Sequence, residues 1–166
     1  MTNLNSQQYM AYTKNNKLHI VSAVAVIRNN EGKYLVLKRS DREIAYPGMY
    51  TFPGGKVEDN DTIEETLVKE AREEANLDLK SGKILLKDKS FIRPDDQTVK
   101  VFSYLCEVEN SDNIKISDDF TDYKWVSFED LENISHVGIE DELLQADKLY
   151  KLNISLQNLN TKSLKG

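Results

Sequence analysis

Apolar and β-branched residues dominate LHIVSAVAVIRN (18–29), the pattern of a strand, and KYLVLKR (33–39) repeats it after the polar turn NNEG. The two read as a hairpin. SDREIAYPGMYTFPGG (40–55) breaks the pattern with Pro47-Gly48 and Pro53-Gly54-Gly55, so it reads as a long shaped loop. From Thr62 to Ala75 the period lengthens to that of a helix. KILLKDKSFI (83–92) and TVKVFSYLCEV (98–108) are strand-like about the turn RPDDQ. An acidic loop, NSDNIKISDDFTD (110–122), leads to the short strand YKWVSF (123–128), and FEDLENI and GIEDELLQADKLYKL read as helices. Residues 1–17, rich in Asn, Gln and Lys, read as a loose arm. Residues 139–166 read as an amphipathic helix with a polar tail, placed to close over a site or to join a homodimer. Strands on both sides of a central helix, without regular βαβ alternation, predict an α+β domain: a mixed sheet with helices on its faces. Without repeats or linkers, 1–166 is one domain.

The central helix carries the candidate chemistry. Between Gly54 and Leu79, nine of 26 residues are Asp or Glu. Asp61 stands where it can cap the helix, with Glu64 closing a capping box, and Asn76 suits a left-handed C-terminal cap. At 100° per residue, Ile63, Leu67, Val68, Ala71 and Ala75 share one sector, and Glu65, Lys69 and Arg72 lie roughly opposite. Glu70, Glu73 and Glu74 stack in a third sector, with Glu74 on the border of the apolar stripe. Like charges at this spacing repel by some tenths of a kcal/mol per pair (~0.2–0.5). One reading is an ordinary solvated face with Glu65–Lys69 and Lys69–Glu73 pairs. The other is a seat for a hard divalent cation, which takes oxygen ligands. The Pro-Gly-Gly turn just before the helix favours the second, because glycine lets backbone approach a ligand closely.

Composition narrows the field. The chain has 166 residues, 39% hydrophobic and 30% charged, with a net charge of −6. That balance suits a globular domain and disfavours a nucleic-acid binder, which needs a basic footprint. A single cysteine, Cys106, excludes an intramolecular disulfide and fits a reducing, cytoplasmic setting. The polar N-terminus does not read as a signal peptide, and no apolar run reaches the ~20 residues that span a bilayer, so no membrane is expected.

The stretch from Gly55 resembles the Nudix (MutT-type) hydrolase signature, G-x5-E-x7-R-E-U-x-E-E-x-G-U with U aliphatic. Gly55 matches the first glycine, Glu70 the glutamate after the arginine, Ala71 an aliphatic position and Glu73-Glu74 the paired acids. Asp61 stands for the first glutamate, Lys69 for the arginine and Asn76 for the last glycine. Lys69 is the departure that matters, because Lys lacks the bidentate fork of Arg. VAVIRNNEGKYLVLKRS, YPGMYTFPGGKVE and YKWVSFEDL extend the resemblance over roughly residues 20–131. The resemblance implies an α/β/α sandwich on a mixed sheet. It implies hydrolysis of a nucleoside diphosphate linked to another group. It further implies Mg²⁺ (Mn²⁺ as substitute) on Glu70, Glu73, Glu74 and the carbonyl of Gly55, with one more acid from a loop before the Trp strand. Asp119 fits that position best among Asp118, Asp119 and Asp122, so the implied catalytic set is Glu70, Glu73, Glu74 and Asp119.

Arg39, with Lys38 beside it, ends the second strand where phosphates are expected; the alternative is a solvated strand end. Among Tyr46, Tyr50 and Phe52, one is placed to stack on a base, with Tyr50 the candidate and Phe52 read as core. His19 and His136 show no ligand spacing, Cys106 and Trp125 read as core, and zinc is not expected. The expected substrate is a nucleoside triphosphate, oxidised forms included, cut to monophosphate and pyrophosphate. Within the enzyme class the rival is ADP-ribose or a nucleotide sugar, supported weakly by Pro94. From another class, the rival is a non-catalytic nucleotide-binding module.

Overall fold

The structure is a computed structural model that describes residues 18–93 and 95–163, with side chains to 155. The N-terminal arm (1–17) and Pro94 lie outside the described residues. Seven strands form one mixed sheet: β1 (His19–Arg28), β2 (Tyr34–Arg39), β3 (Tyr50–Thr51), β4 (Gly54–Lys56), β5 (Ile84–Ile92), β6 (Thr98–Glu107) and β7 (Phe120–Val126). The main path runs β3-β2-β1-β6-β5, with β4 paired to β1 and β7 to β2. β1 and β6 run parallel over ten residue pairs, and the other pairings are antiparallel. Helix α1 (Ile63–Ala75) covers one face, and α2 (Glu140–Ser163) packs on the other after a short 3₁₀ turn at Glu129–Asn133. This is the α/β/α sandwich.

The alternation of β1 explains the two layers. Ala23, Ala25 and Ile27 face α1, where Leu67, Ala71 and Ala75 meet Leu35 and Leu37. Val26, on the opposite face, joins Val36, Leu105 and the α2 residues Leu143 and Ala146. Each fully buried aliphatic side chain contributes roughly 1.5–3 kcal/mol, so both helices are held chiefly by apolar burial. A hydrogen bond from the Tyr34 hydroxyl to Asp147 (2.7 Å) adds a polar tie to α2.

The structure departs from the sequence pattern in four places. The β1–β2 hairpin closes only at its turn, through Arg28 and Tyr34; beyond it β1 pairs with β4, at Val24–Gly54 and Ala23–Gly55. The helix cap sits one residue later than expected. Thr62 is the N-cap, and Glu65 completes the capping box, because the Thr62 hydroxyl reaches the Glu65 N–H (3.1 Å) and the Glu65 carboxylate accepts from Thr62 N–H (2.7 Å). Val68 is 39% exposed, and Thr66 takes its place in the buried stripe. The Trp strand begins at Phe120, three residues early, so Asp122 belongs to β7 and not to the acidic loop. Asn76 does cap α1 in the left-handed conformation, at φ 57°.

Candidate active site

The site forms where the Pro53-Gly54-Gly55 turn meets α1. β1 holds that turn: Ala25 N–H donates to the Pro53 carbonyl (2.8 Å), and the strand continues in register to Lys56. Close approach of backbone requires glycine at Gly54, and Gly55 leaves room for the Glu70 carboxylate. A Cβ on Gly54 would collide with the Ala23 carbonyl and Val24 Cα, and one on Gly55 would overlap the Glu70 carboxylate. Gly54 N–H donates a hydrogen bond to Glu74 at 2.8 Å.

Glu74 is the electrostatic centre. Its carboxyl is pushed up to about 8, first by burial and then by the charges of Glu70 and Asp119; the Gly54 N–H and the Arg39 charge oppose the shift. Glu70 is also raised, by burial and by Glu73. The acids are therefore crowded and partly dehydrated. Among the described residues, no three His, Cys, Asp or Glu side chains stand close enough to hold a metal ion. Glu70 and Glu74 lean on the glycine turn, whereas Glu73 is exposed on the helix surface. Even so, an all-oxygen donor set of crowded, partly buried carboxylates has the chemistry that suits a hard divalent cation.

The acidic segment is stitched to this corner. Ser117 N–H donates to the Glu74 carbonyl (3.2 Å), and Ser40 N–H donates to the Asp119 carbonyl (2.8 Å). Asp119 is thus fixed near Glu74, with its side chain exposed. Lys69 makes neither of the pairs of the solvated-face reading, with Glu65 or Glu73; its ammonium lies 3.3 Å from Glu58 and 3.9 Å from Asp61. It ties the helix back to its own approach loop.

A cleft of about 480 Å³ opens on the sheet face that α2 covers only in part, and Arg39 lines one side of it. Arg39 Nε donates to the Ala45 carbonyl (2.7 Å) and its Nη2 meets Glu43 (2.6 Å), so the guanidinium braces the 40–48 loop. Its charge also lowers the Glu74 carboxyl, the smallest of the influences on that group.

Comparison with known proteins bears on the family and the fold. The NUDIX domain profile matches residues 18–146. The chain belongs to the Nudix (MutT-type) hydrolase family. It is similar to a protein called nucleoside triphosphatase NudI from Escherichia coli O81 (strain ED1a), 34% identical over 121 residues, covering 65% of this chain and 82% of the relative. The protein of that name from Salmonella agona (strain SL483) is 36% identical with the same coverage. Among solved structures, the MutT protein of Methanosarcina mazei Go1 superimposes with a TM-score of 0.68 at 26% identity, covering 82% of this chain and 98% of that one. The Nudix domain of Shewanella oneidensis NrtR, complexed with ADP ribose, gives 0.69 at 16% identity, covering 89% and 99%, a likeness of fold. Nudix hydrolases use divalent metal ions, and this chain is a pyrophosphohydrolase of that family.

Within this Nudix site, Tyr50 is not where a base-stacking residue belongs. It is 6% exposed, its ring packs in the core, and its hydroxyl donates to Asp122 at 2.5 Å. Burial and that bond push the phenol up to about 12. Tyr46, 61% exposed, and Phe91, 49% exposed, line the cleft instead. Phe52, Cys106 and Trp125 lie in or against the core as expected. Sequence reasoning missed Lys89, Phe91, Ser103 and Glu142, all of which line the same cleft. One signal was available: Glu142 falls on the apolar stripe formed by Leu143 and Ala146 of α2 and by Ile139 just before it, where a charge is out of place.

Proposed function

We propose that this Nudix hydrolase cleaves a nucleoside triphosphate to the monophosphate and pyrophosphate, with Mg²⁺ as its ion and Mn²⁺ able to replace it. The observation that carries the reading is the acid corner, where Glu70 and Glu74 crowd the Gly54-Gly55 turn; a cleft with aromatic walls, lined by Arg39, offers room for the rest of the substrate. The name of the NudI relatives supports the triphosphate. Glu70, Glu73, Glu74 and the Gly55 carbonyl would hold the ion. When bound, it neutralises phosphate charge and lowers the pKa of a coordinated water.

The chain's own residues do the rest. Gly54 N–H fixes one oxygen of Glu74, so the carboxylate meets the substrate in one orientation. Arg39 stands at the cleft side with a guanidinium suited to a phosphate oxygen. Asp119, exposed beside Glu74, takes the proton as the water oxygen bonds to phosphorus and the anhydride P–O bond breaks. Tyr46 offers the exposed ring for the base.

The decisive experiment is a nucleotide screen with and without Mg²⁺, detecting monophosphate and pyrophosphate. Release of pyrophosphate from triphosphates only when Mg²⁺ is present supports the reading. Cleavage confined to ADP-ribose or nucleotide sugars overturns the substrate. Tight binding without cleavage of any compound makes the protein a nucleotide sensor.

A further inference from the structure

The far end of the cleft contains a buried acid that the chemistry above does not use. Glu142, on the first turn of α2, is 2% exposed and lines the cleft. Both of its polar neighbours converge on one carboxylate oxygen. Lys89 Nζ, from β5, lies 3.0 Å from Oε1, and the Ser103 hydroxyl, from β6, donates to the same atom at 3.4 Å. The other oxygen, Oε2, is buried and has no partner among the described residues. A buried carboxylate oxygen left without a donor is costly, and such groups mark places where a ligand completes the bonding.

We propose that Glu142 and Lys89 read the base of the nucleotide and select keto bases: uracil, thymine and guanine. The proposal rests on the nucleotide reading of this cleft. A carboxylate only accepts hydrogen bonds, and an ammonium only donates them. Side by side, they match a ring N–H next to a carbonyl. Glu142 Oε2 accepts from N3–H of uracil or thymine, or N1–H of guanine, and Lys89 donates to the neighbouring carbonyl oxygen. Cytosine and adenine place an unprotonated ring nitrogen where the keto bases carry that N–H. A carboxylate facing this nitrogen sets acceptor against acceptor, so in the same pose these bases lose the contact and regain one only by sliding a position to present the exocyclic amino group. Phe91 and Tyr46 supply the apolar walls of the cleft. A site built to bond a substrate N–H discriminates strongly against analogues without it.

The substitution Glu142→Gln makes the test sharp. The amide keeps size and shape. Its oxygen turns toward Lys89, which leaves an NH₂ where Oε2 stood. That donor opposes a keto-base N–H and suits the ring nitrogen of cytosine or adenine.

Two measurements are made on the full chain with Mg²⁺: kcat/KM for UTP, N3-methyl-UTP, CTP, GTP and ATP, and calorimetric Kd for their non-cleavable imido analogues. The expected result is a preference for UTP over N3-methyl-UTP and over CTP of roughly 10–100-fold, and of GTP over ATP by a similar factor. In Glu142→Gln, with melting within a few degrees of the parent, the UTP/CTP ratio falls at least about tenfold or inverts. Lys89→Met, at a partly exposed strand position, loses the same preference and serves if the first variant misfolds. Equal handling of UTP and N3-methyl-UTP by the parent, or an unchanged ranking in both variants, overturns the proposal. Keto preference in binding without any cleavage keeps the base reading and removes the triphosphatase reading. Cleavage of all triphosphates without base preference does the reverse.

Discussion

Glu74 combines two opposed demands in one side chain. Its carboxyl is held up at about 8 because burial and the acids around it disfavour the charge. For stability, the sign follows from that direction. The folded state favours the protonated form, so in metal-free protein this contribution is full below the ordinary value of 4.5 and is lost as pH rises to about 8. Glu74→Gln removes the penalty while keeping an acceptor for Gly54 N–H. In EDTA at pH 8, the variant is expected to melt a few degrees above the parent by calorimetry, and the gap should close toward pH 4. With Mg²⁺, its hydrolysis is expected to fall ~10²-fold or more, roughly 3 kcal/mol of barrier. A variant that melts lower than the parent at every pH would refute the burial argument. Tyr50 and Tyr46 give a second comparison. Tyr50→Phe loses a hydrogen bond to a carboxylate and is expected to cost roughly 1–3 kcal/mol in urea unfolding with little change in KM. Tyr46→Ala should leave stability nearly intact and raise KM. The opposite pattern would return Tyr50 to the substrate.

At the level of elements, the loop between β6 and β7 decides which acid can act. Asp119 is pinned by Ser40 and adds its charge to that of Glu74, whereas Asp122 has entered β7 and bonds Tyr50. Asp119→Asn is therefore expected to lower kcat more than Asp118→Asn or Asp122→Asn, with Asp122→Asn acting mainly on Tm. Steady-state kinetics at saturating Mg²⁺ would show this, and a kcat loss greatest in Asp122→Asn would reverse the assignment. The register of this loop was not legible in the sequence. Alternation in FTDYKWV is blurred by Asp122 and Lys124, whose exposure is set by pairing with Val36 and Lys38 of β2. The acids of α1 were legible, because helical spacing and the glycine turn are local features. The cap slipped by one residue because Asp61-Thr62 offers two adjacent capping side chains, and only the fold of the approach loop chooses between them.

Across the whole molecule, α2 does two jobs. Its buried residues close the second layer of the sandwich, and its first turn brings Glu142 over β5 and β6. Leu143, fully buried, is the pin between them. Leu143→Ala is expected to cost roughly 2–5 kcal/mol by urea unfolding and to weaken nucleotide binding, because α2 carries one wall of the cleft. A loss of stability with unchanged KM would show that the cleft does not depend on the docking of α2. Among the described residues, no helix is long and apolar enough to cross a membrane.

Taken alone, the sequence determined what local order can encode: strands from alternation, α1 from its period, the Asn76 cap, and a row of carboxylates behind a glycine turn. It also determined the family, since the box residues lie close together in the chain. Tertiary structure decided what depends on residues far apart. Pairing of β1 with β4 sets the turn against Glu70 and Glu74. Pairing of β3 with β2 fixes Tyr50 in the core, whereas Tyr46, in the loop just before it, is left at the cleft. Glu142 meets Lys89 and Ser103 across separations of 53 and 39 residues. Hydrophobic period reports which face a residue occupies, but not what the opposite face of a distant element will bring to it.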